Sequence, residues 1–207
     1  MEREDAQASI REVQRIMERA ALHTLLPGAP ALIGGALALA GCAVSLVILR
    51  SADFARAAAL PAGCQVGLWV MWALIGAAAL GQEIVLTARA AARRGLSFAE
   101  RPARLAAYSL TPSVLVAAVL TFRLLADGHL QYLAPVWMMC YGTGVYAAGL
   151  FSLRLPRLLG LGFIVLGAAG LLCFPAFGVI LLALSFGLLH VAFGLIVIRK
   201  SREDSET

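Results

Sequence analysis

Between residues 60 and 104 the chain passes from a run that dissolves in hydrocarbon to one that does not. LPAGCQVGLWVMWALIGAAAL carries no charge, Gln82 and Glu83 follow among apolar neighbours, and the segment leaves through Arg89, Arg93, Arg94, Arg101 and Arg104. A helix that is apolar for its length and then strongly basic marks a membrane span ending on the cytoplasmic side, where Lys and Arg are retained during insertion. This junction sets the orientation of every other segment.

Composition extends the reading to the whole chain. Hydrophobic residues make up 61% and charged residues 14%, against about 25% charged in a soluble domain, and the mean hydropathy is +0.86. Apolar runs at 27–49, 62–88, 105–126, 130–153, 158–174 and 179–198 match the roughly 17–25 residues that cross about 30 Å of hydrocarbon. The fifth is the shortest. The expected fold is all-α: a polytopic bundle of six transmembrane helices over 27–198, a short amphipathic helix over 1–26, and a polar tail over 199–207. In the N-terminal segment Ile10, Val13, Met17, Ala20 and Ala21 recur at helical spacing among charges of both signs. That predicts a helix lying at the cytoplasmic headgroup boundary, or docking a cytosolic protein partner. Charges of both signs ahead of the first run argue for a retained span rather than a cleaved signal peptide.

Six spans place both termini on one side. Of seventeen basic residues, only Arg50, Arg56 and Arg123 fall in the opposite connections, so both termini are expected in the cytoplasm of a bacterial inner membrane. The net charge of +5 sits where anionic headgroups act on it. Aromatic residues run through the apolar segments without interleaving basic ones, which excludes a surface that stacks nucleic-acid bases.

Pro112 predicts a kink in the third span, and Asp127-Gly128 reads as its stop. Gly34, Ala38 and Gly41 give the first span a small-residue face, Gly63 and Gly67 form a GxxxG pair in the second, and the fourth and fifth are glycine-rich. Such faces allow close helix packing or a homo-oligomer.

Ionisable groups within spans are expensive and therefore functional candidates: Glu83, Arg123, His190 and, at an edge, Asp127. Measured back from Arg89, Arg154 and Arg199, the residues Glu83, Tyr146 and His190 lie at depths that agree within about one helical turn. If their spans adjoin, a carboxylate, a phenol and an imidazole meet in the inner half, as a proton relay or a polar ligand site requires. Tyr141 belongs to the same candidate set. The structural alternative has Glu83 reaching for its arginines and His190 hydrogen-bonding a neighbouring helix. Arg123 and Asp127, four residues apart, read as a surface anchor. Cys42, Cys64, Cys140 and Cys173 lack metal-ligand spacing and behave as small apolar residues, although Cys64 and Cys173 lie nearest the oxidising face, where a disulfide can form. No HExxH, P-loop or aspartate pair within spans is present, and the single lysine is Lys200. No metal or cofactor is expected.

Tyr141-Gly-Thr-Gly-Val-Tyr146 in the fourth span, with His190 in the sixth, resembles rhomboid intramembrane proteases. That resemblance implies a nucleophile at Thr143 and a base at His190. As a whole, through its amphipathic N-terminal segment, the arginine-rich connection and the last hairpin, the chain resembles a family of bacterial six-helix integral membrane proteins of unassigned activity. The hairpin from Leu161 through Phe174-Pro175 to Gly194 is also similar to that of HdeD-type acid-resistance membrane proteins. Three functions follow as expectations. The first is a non-catalytic membrane protein acting through a partner or a bound lipid-like molecule. The second is a small proton-coupled transporter using Glu83, Tyr146 and His190, and the third is the protease. The orientation is testable: a periplasm-dependent reporter fused after His129 is expected to be active, and one fused after Thr207 inactive.

Overall fold

Apolar side chains cover the outside of this bundle. Val47, Leu74, Val119, Phe122, Leu158 and Leu172 all stand mostly exposed, far more apolar surface than a water-soluble fold leaves open. The structure is a computed structural model, and its described residues are 28–93, 101–150 and 154–206. The amphipathic segment expected over 1–26 lies outside them. Helix α1 is Gly28–Leu49, α2 Ala62–Ala92, α3 Arg101–Ala126, α4 Leu133–Gly149 and α5 Arg154–Leu172. A last helix runs without a break through α6 (Gly178–Leu182), a π-helical segment (Ala183–Leu189) and α7 (His190–Glu206). No strand occurs among the described residues, as hydrocarbon demands when every backbone group must be paired within its own segment.

Among the described residues, five stretches are long and apolar enough to cross a membrane: 28–49, 62–90, 108–126, 154–172 and 175–203. The exception is α4, which has 17 residues. It, and not α5 with 19, is the shortest, because Leu130–Tyr132 form a separate 3-10 turn ahead of it. Helix α3 continues through Pro112. Its end matches the sequence: Gly128 takes φ +72°, and the amides of Gly128 and His129 donate to the carbonyls of Leu125 and Leu124. Glycine is favoured there because an L side chain is strained at that φ.

Two helix pairs touch backbone to backbone. A Cβ on Gly160 of α5 would stand 2.5 Å from the Tyr146 amide nitrogen of α4, and one on Gly142 would stand 2.8 Å from the Gly160 carbonyl oxygen. Between α1 and the last helix, Gly28 rests against the Gly194 carbonyl, and a Cβ on Gly35 would be 2.9 Å from that of Gly187. The small-residue face of α1 is therefore Gly35, Ala38 and Gly41, all buried. Gly34 has only the Gln82 amide near it, and Gly63 and Gly67 of α2 face open space. Two indole hydrogen bonds fasten the outer helices. Trp72 Nε1 of α2 donates to Ser45 Oγ of α1 at 3.0 Å, and Trp137 Nε1 of α4 donates to Thr121 Oγ1 of α3 at 2.8 Å. A third of the most apolar window of α1 is buried, against 6% in α2 and α3, which makes α2 and α3 the periphery.

The connections 50–61, 127–132 and 173–177 gather at one end. The first is a short 3-10 helix, Phe54–Ala59, capped by Asp53 Oδ1, which accepts from the Ala55 amide at 2.8 Å. Phe54 is buried beside Trp69 and Trp72, at ring distances of 6.0 and 6.3 Å. The Val179 amide donates to the Ala52 carbonyl at 2.9 Å, and the Gln65 side chain donates to the carbonyls of Ala58 and Leu60. Gly160→Val is expected to cost about 1–3 kcal/mol by overpacking, whereas Gly67→Val should stay within about 0.5 kcal/mol. Denaturation in mixed detergent micelles measures both.

Candidate functional site

Polar groups inside the bundle are few: Tyr141 of α4 and His190 of the last helix meet, while Gln82 of α2 bonds α1. Glycine contacts determine who meets whom. Gly142 against Gly160 lays α5 on α4, so Phe163 of α5 reaches Tyr141 of α4 with ring centroids 5.0 Å apart. Phe186 and His190 of the last helix complete a cluster in which Tyr141–Phe186 is 5.0 Å, Phe163–Phe186 4.8 Å and Phe163–His190 5.3 Å. The imidazole is stacked on Phe186 with an 11° interplanar angle. Such ring contacts add packing beyond area alone.

Within this apolar box the Tyr141 hydroxyl and His190 Nε2 form a hydrogen bond of 2.9 Å. Glu83 lies close enough to act electrostatically on the Tyr141 hydroxyl, and one of its own oxygens accepts from Thr87 Oγ1 at 3.4 Å. The phenol and the imidazole thus bond directly, and the carboxyl acts on the phenol from a third helix through its charge. His190 Nδ1 is buried without a hydrogen-bond partner. Next to Glu83, the Gln82 amide donates to the Pro30 carbonyl of α1 at 2.9 Å and to Ala79 at 3.1 Å. Its Oε1 is buried and unpaired.

The structure pairs Tyr141 with His190, sets Glu83 within electrostatic reach of Tyr141, and leaves Tyr146 at the surface, 38% exposed. Depth alone favours Tyr146, but helical phase separates the two tyrosines. Met138, Gly142, Val145 and Gly149 mark the buried stripe of α4, and Tyr141 stands one position from Gly142 and three from Met138, on the side of the last helix. Phe163, Phe186 and the π-helical segment carry no signal of their own in the sequence. Thr143 faces outward and donates to the Met139 carbonyl at 2.8 Å, the back-bond usual for a helical hydroxyl. Arg123 and Asp127 form the surface pair, with Nε to Oδ2 at 2.8 Å. All four cysteines are free thiols, Cys42 buried and Cys64 and Cys173 exposed. No cluster of metal-ligating side chains occurs among the described residues.

Compared with known proteins, the chain matches no family model, no curated protein and no solved structure.

Tyr141→Phe removes the hydroxyl and leaves His190 Nε2 unpaired. Hydrogen bonds between transmembrane helices contribute about 0.6–1.7 kcal/mol, and a loss of about 1 kcal/mol in detergent unfolding is expected. Tyr146→Phe, at the surface, is expected to leave stability unchanged.

Proposed function

We propose that this chain is a six-span integral membrane protein of a bacterial cytoplasmic membrane, with both termini in the cytoplasm. It acts without catalysis, binding a proton on the Glu83–Tyr141–His190 group and passing the change to a partner or a bound lipid-like molecule at the inner face. The observation that carries this reading is the 2.9 Å bond between Tyr141 and His190 with Glu83 within electrostatic reach. Ionisable groups are costly at this depth, so a bonded pair from separate helices with a carboxyl in electrostatic reach calls for a use. Histidine supplies a group that changes charge near neutral pH. Support for six spans comes from α4 itself, whose glycines meet α5 from Gly142 to Gly149, and from the gathering of alternate connections at one end. The 14 basic residues other than Arg50, Arg56 and Arg123 support the orientation.

A second reading, a small proton-coupled transporter, is favoured by the spread of these groups over α2, α4 and the last helix rather than along one helix. One preparation separates the two. In proteoliposomes, intrinsic tryptophan fluorescence is expected to change with pH. That change should disappear in His190→Gln and shift in Glu83→Gln. An interior pH dye that reports proton movement under an imposed gradient selects the transporter. Fluorescence unchanged with pH in the wild type would end both readings.

A further inference from the structure

Helix α1 has 22 residues and α2 has 31, and the last helix runs from Gly178 to Glu206. Two contacts fix how they align. The Gln82 amide of α2 donates to the Pro30 carbonyl of α1 at 2.9 Å, and Gly28 of α1 rests against the Gly194 carbonyl of the last helix. Helix α1 therefore begins at the level of Gln82 and Gly194, at the end of the bundle away from the three connections. Residues 83–92 of α2 and 195–206 of the last helix run on past that level, by roughly 15 and 18 Å at about 1.5 Å per residue. On these projections Ile84 and Val85 are each 46% exposed, Leu195 50% and Ile196 43%. Helix α1 alone has the length that crosses about 30 Å of hydrocarbon, so what lies beyond its start stands among the headgroups. Apolar surface there gains by being covered.

We infer that the projecting ends of α2 and the last helix are the docking site for the chain's own residues 1–27, whose apolar stripe covers Ile84, Val85, Leu195 and Ile196. Position, reach and charge argue for this occupant. The segment joins α1 at Gly28, at the foot of both projections, so docking closes only a short loop, at small entropic cost. Its stripe of Ile10, Val13, Met17, Ala20 and Ala21 extends over roughly 17 Å at helical rise, about the length of either projection. Its acidic residues, Glu2, Glu4, Asp5, Glu12 and Glu18, outnumber its four arginines. Facing them, Arg89 and Arg93 at the end of α2 and Arg199 and Lys200 near the end of the last helix are exposed. Those helix ends attract the carboxylates, whereas a bare surface of anionic headgroups repels them. Once docked, the segment ties α2 to the last helix, where α2 otherwise packs chiefly on α1. None of this depends on the proton reading.

The test is photocrosslinking of the full chain with benzoylphenylalanine in place of Met17. It is irradiated both in nanodiscs of phosphatidylethanolamine and phosphatidylglycerol and in native membrane vesicles. The same probe in place of Phe122, 78% exposed, is the lipid-facing control. Mass spectrometry is expected to join position 17 to the peptide holding Ile84 and Val85 or to that holding Leu195 and Ile196. Mixing isotope-labelled and unlabelled chains before irradiation shows whether the link lies within one chain, as expected. Reversing charge in Glu12→Arg with Glu18→Arg should lower the yield about two- to fivefold, the scale of one or two surface ion pairs. Adducts with lipid alone place the segment among the headgroups and overturn the inference. Links between two copies, or adducts only with another protein in the native vesicles, give the segment to a different partner and overturn it too. A within-chain yield indifferent to the charge reversal does the same, because the link then reports chance encounters of a tethered segment rather than docking.

Discussion

Helices surrounded by hydrocarbon gain no hydrophobic free energy by meeting, so what holds this bundle is how near their backbones come. Gly28 and Gly35 on α1 meet Gly194 and Gly187 on the last helix, and Gly142 on α4 meets Gly160 on α5. The position of every other group follows from those contacts. With α5 laid on α4, Phe163 is carried to Tyr141; with the last helix laid on α1 through Gly187, His190 is turned toward α4. Had alanines stood at these glycines, the helices would sit further apart and the four-ring cluster would open.

Polar side chains inside the bundle serve as cross-links between particular helices. Trp72 with Ser45 joins α2 to α1, Trp137 with Thr121 joins α4 to α3, and Gln82 with the Pro30 carbonyl joins α2 to α1 again. Each of these is a neutral donor with a neutral acceptor. The Tyr141–His190 bond differs because the imidazole can take a charge and the Glu83 carboxyl is within electrostatic reach of the phenol. A pair that only fastened helices would need neither.

The helical architecture was legible because hydrocarbon imposes length and composition on whatever crosses it, and the stop at Gly128 was legible because an αL residue favours glycine. Helix ends moved by a few residues, and the fourth span shortened, because Leu130–Tyr132 turn as a 3-10 element that no apolar count distinguishes from helix. The site was legible as a set of residue types but not as a set of partners. Glu83 and His190 stand out because charge in an apolar run is rare. Choosing Tyr141 over Tyr146 depends on which face of α4 meets which neighbour, and that is settled by the glycine contacts between helices. The GxxxG pair of α2 shows the converse: Gly63 and Gly67 fit a packing motif, yet no described residue lies against them. The π turn arises from tertiary packing, and no residue pattern announces it.

The 3-10 plug at Phe54–Ala59 has an electrical consequence. With Phe54 seated against Trp69, Trp72 and Gly178, and Ala52 bonded to Val179, the end holding the three connections is covered by protein. On the proposed topology this is the periplasmic end, and on the proposed proton-site reading a proton reaching His190 would enter from the cytoplasm and stop partway. It crosses only part of the membrane field, whose full span is worth about 2.3 kcal/mol per charge at 100 mV. Occupancy of such a dead-end site follows the acidity of the cytoplasm, weighted by a fraction of the membrane voltage, and is insulated from the acidity outside.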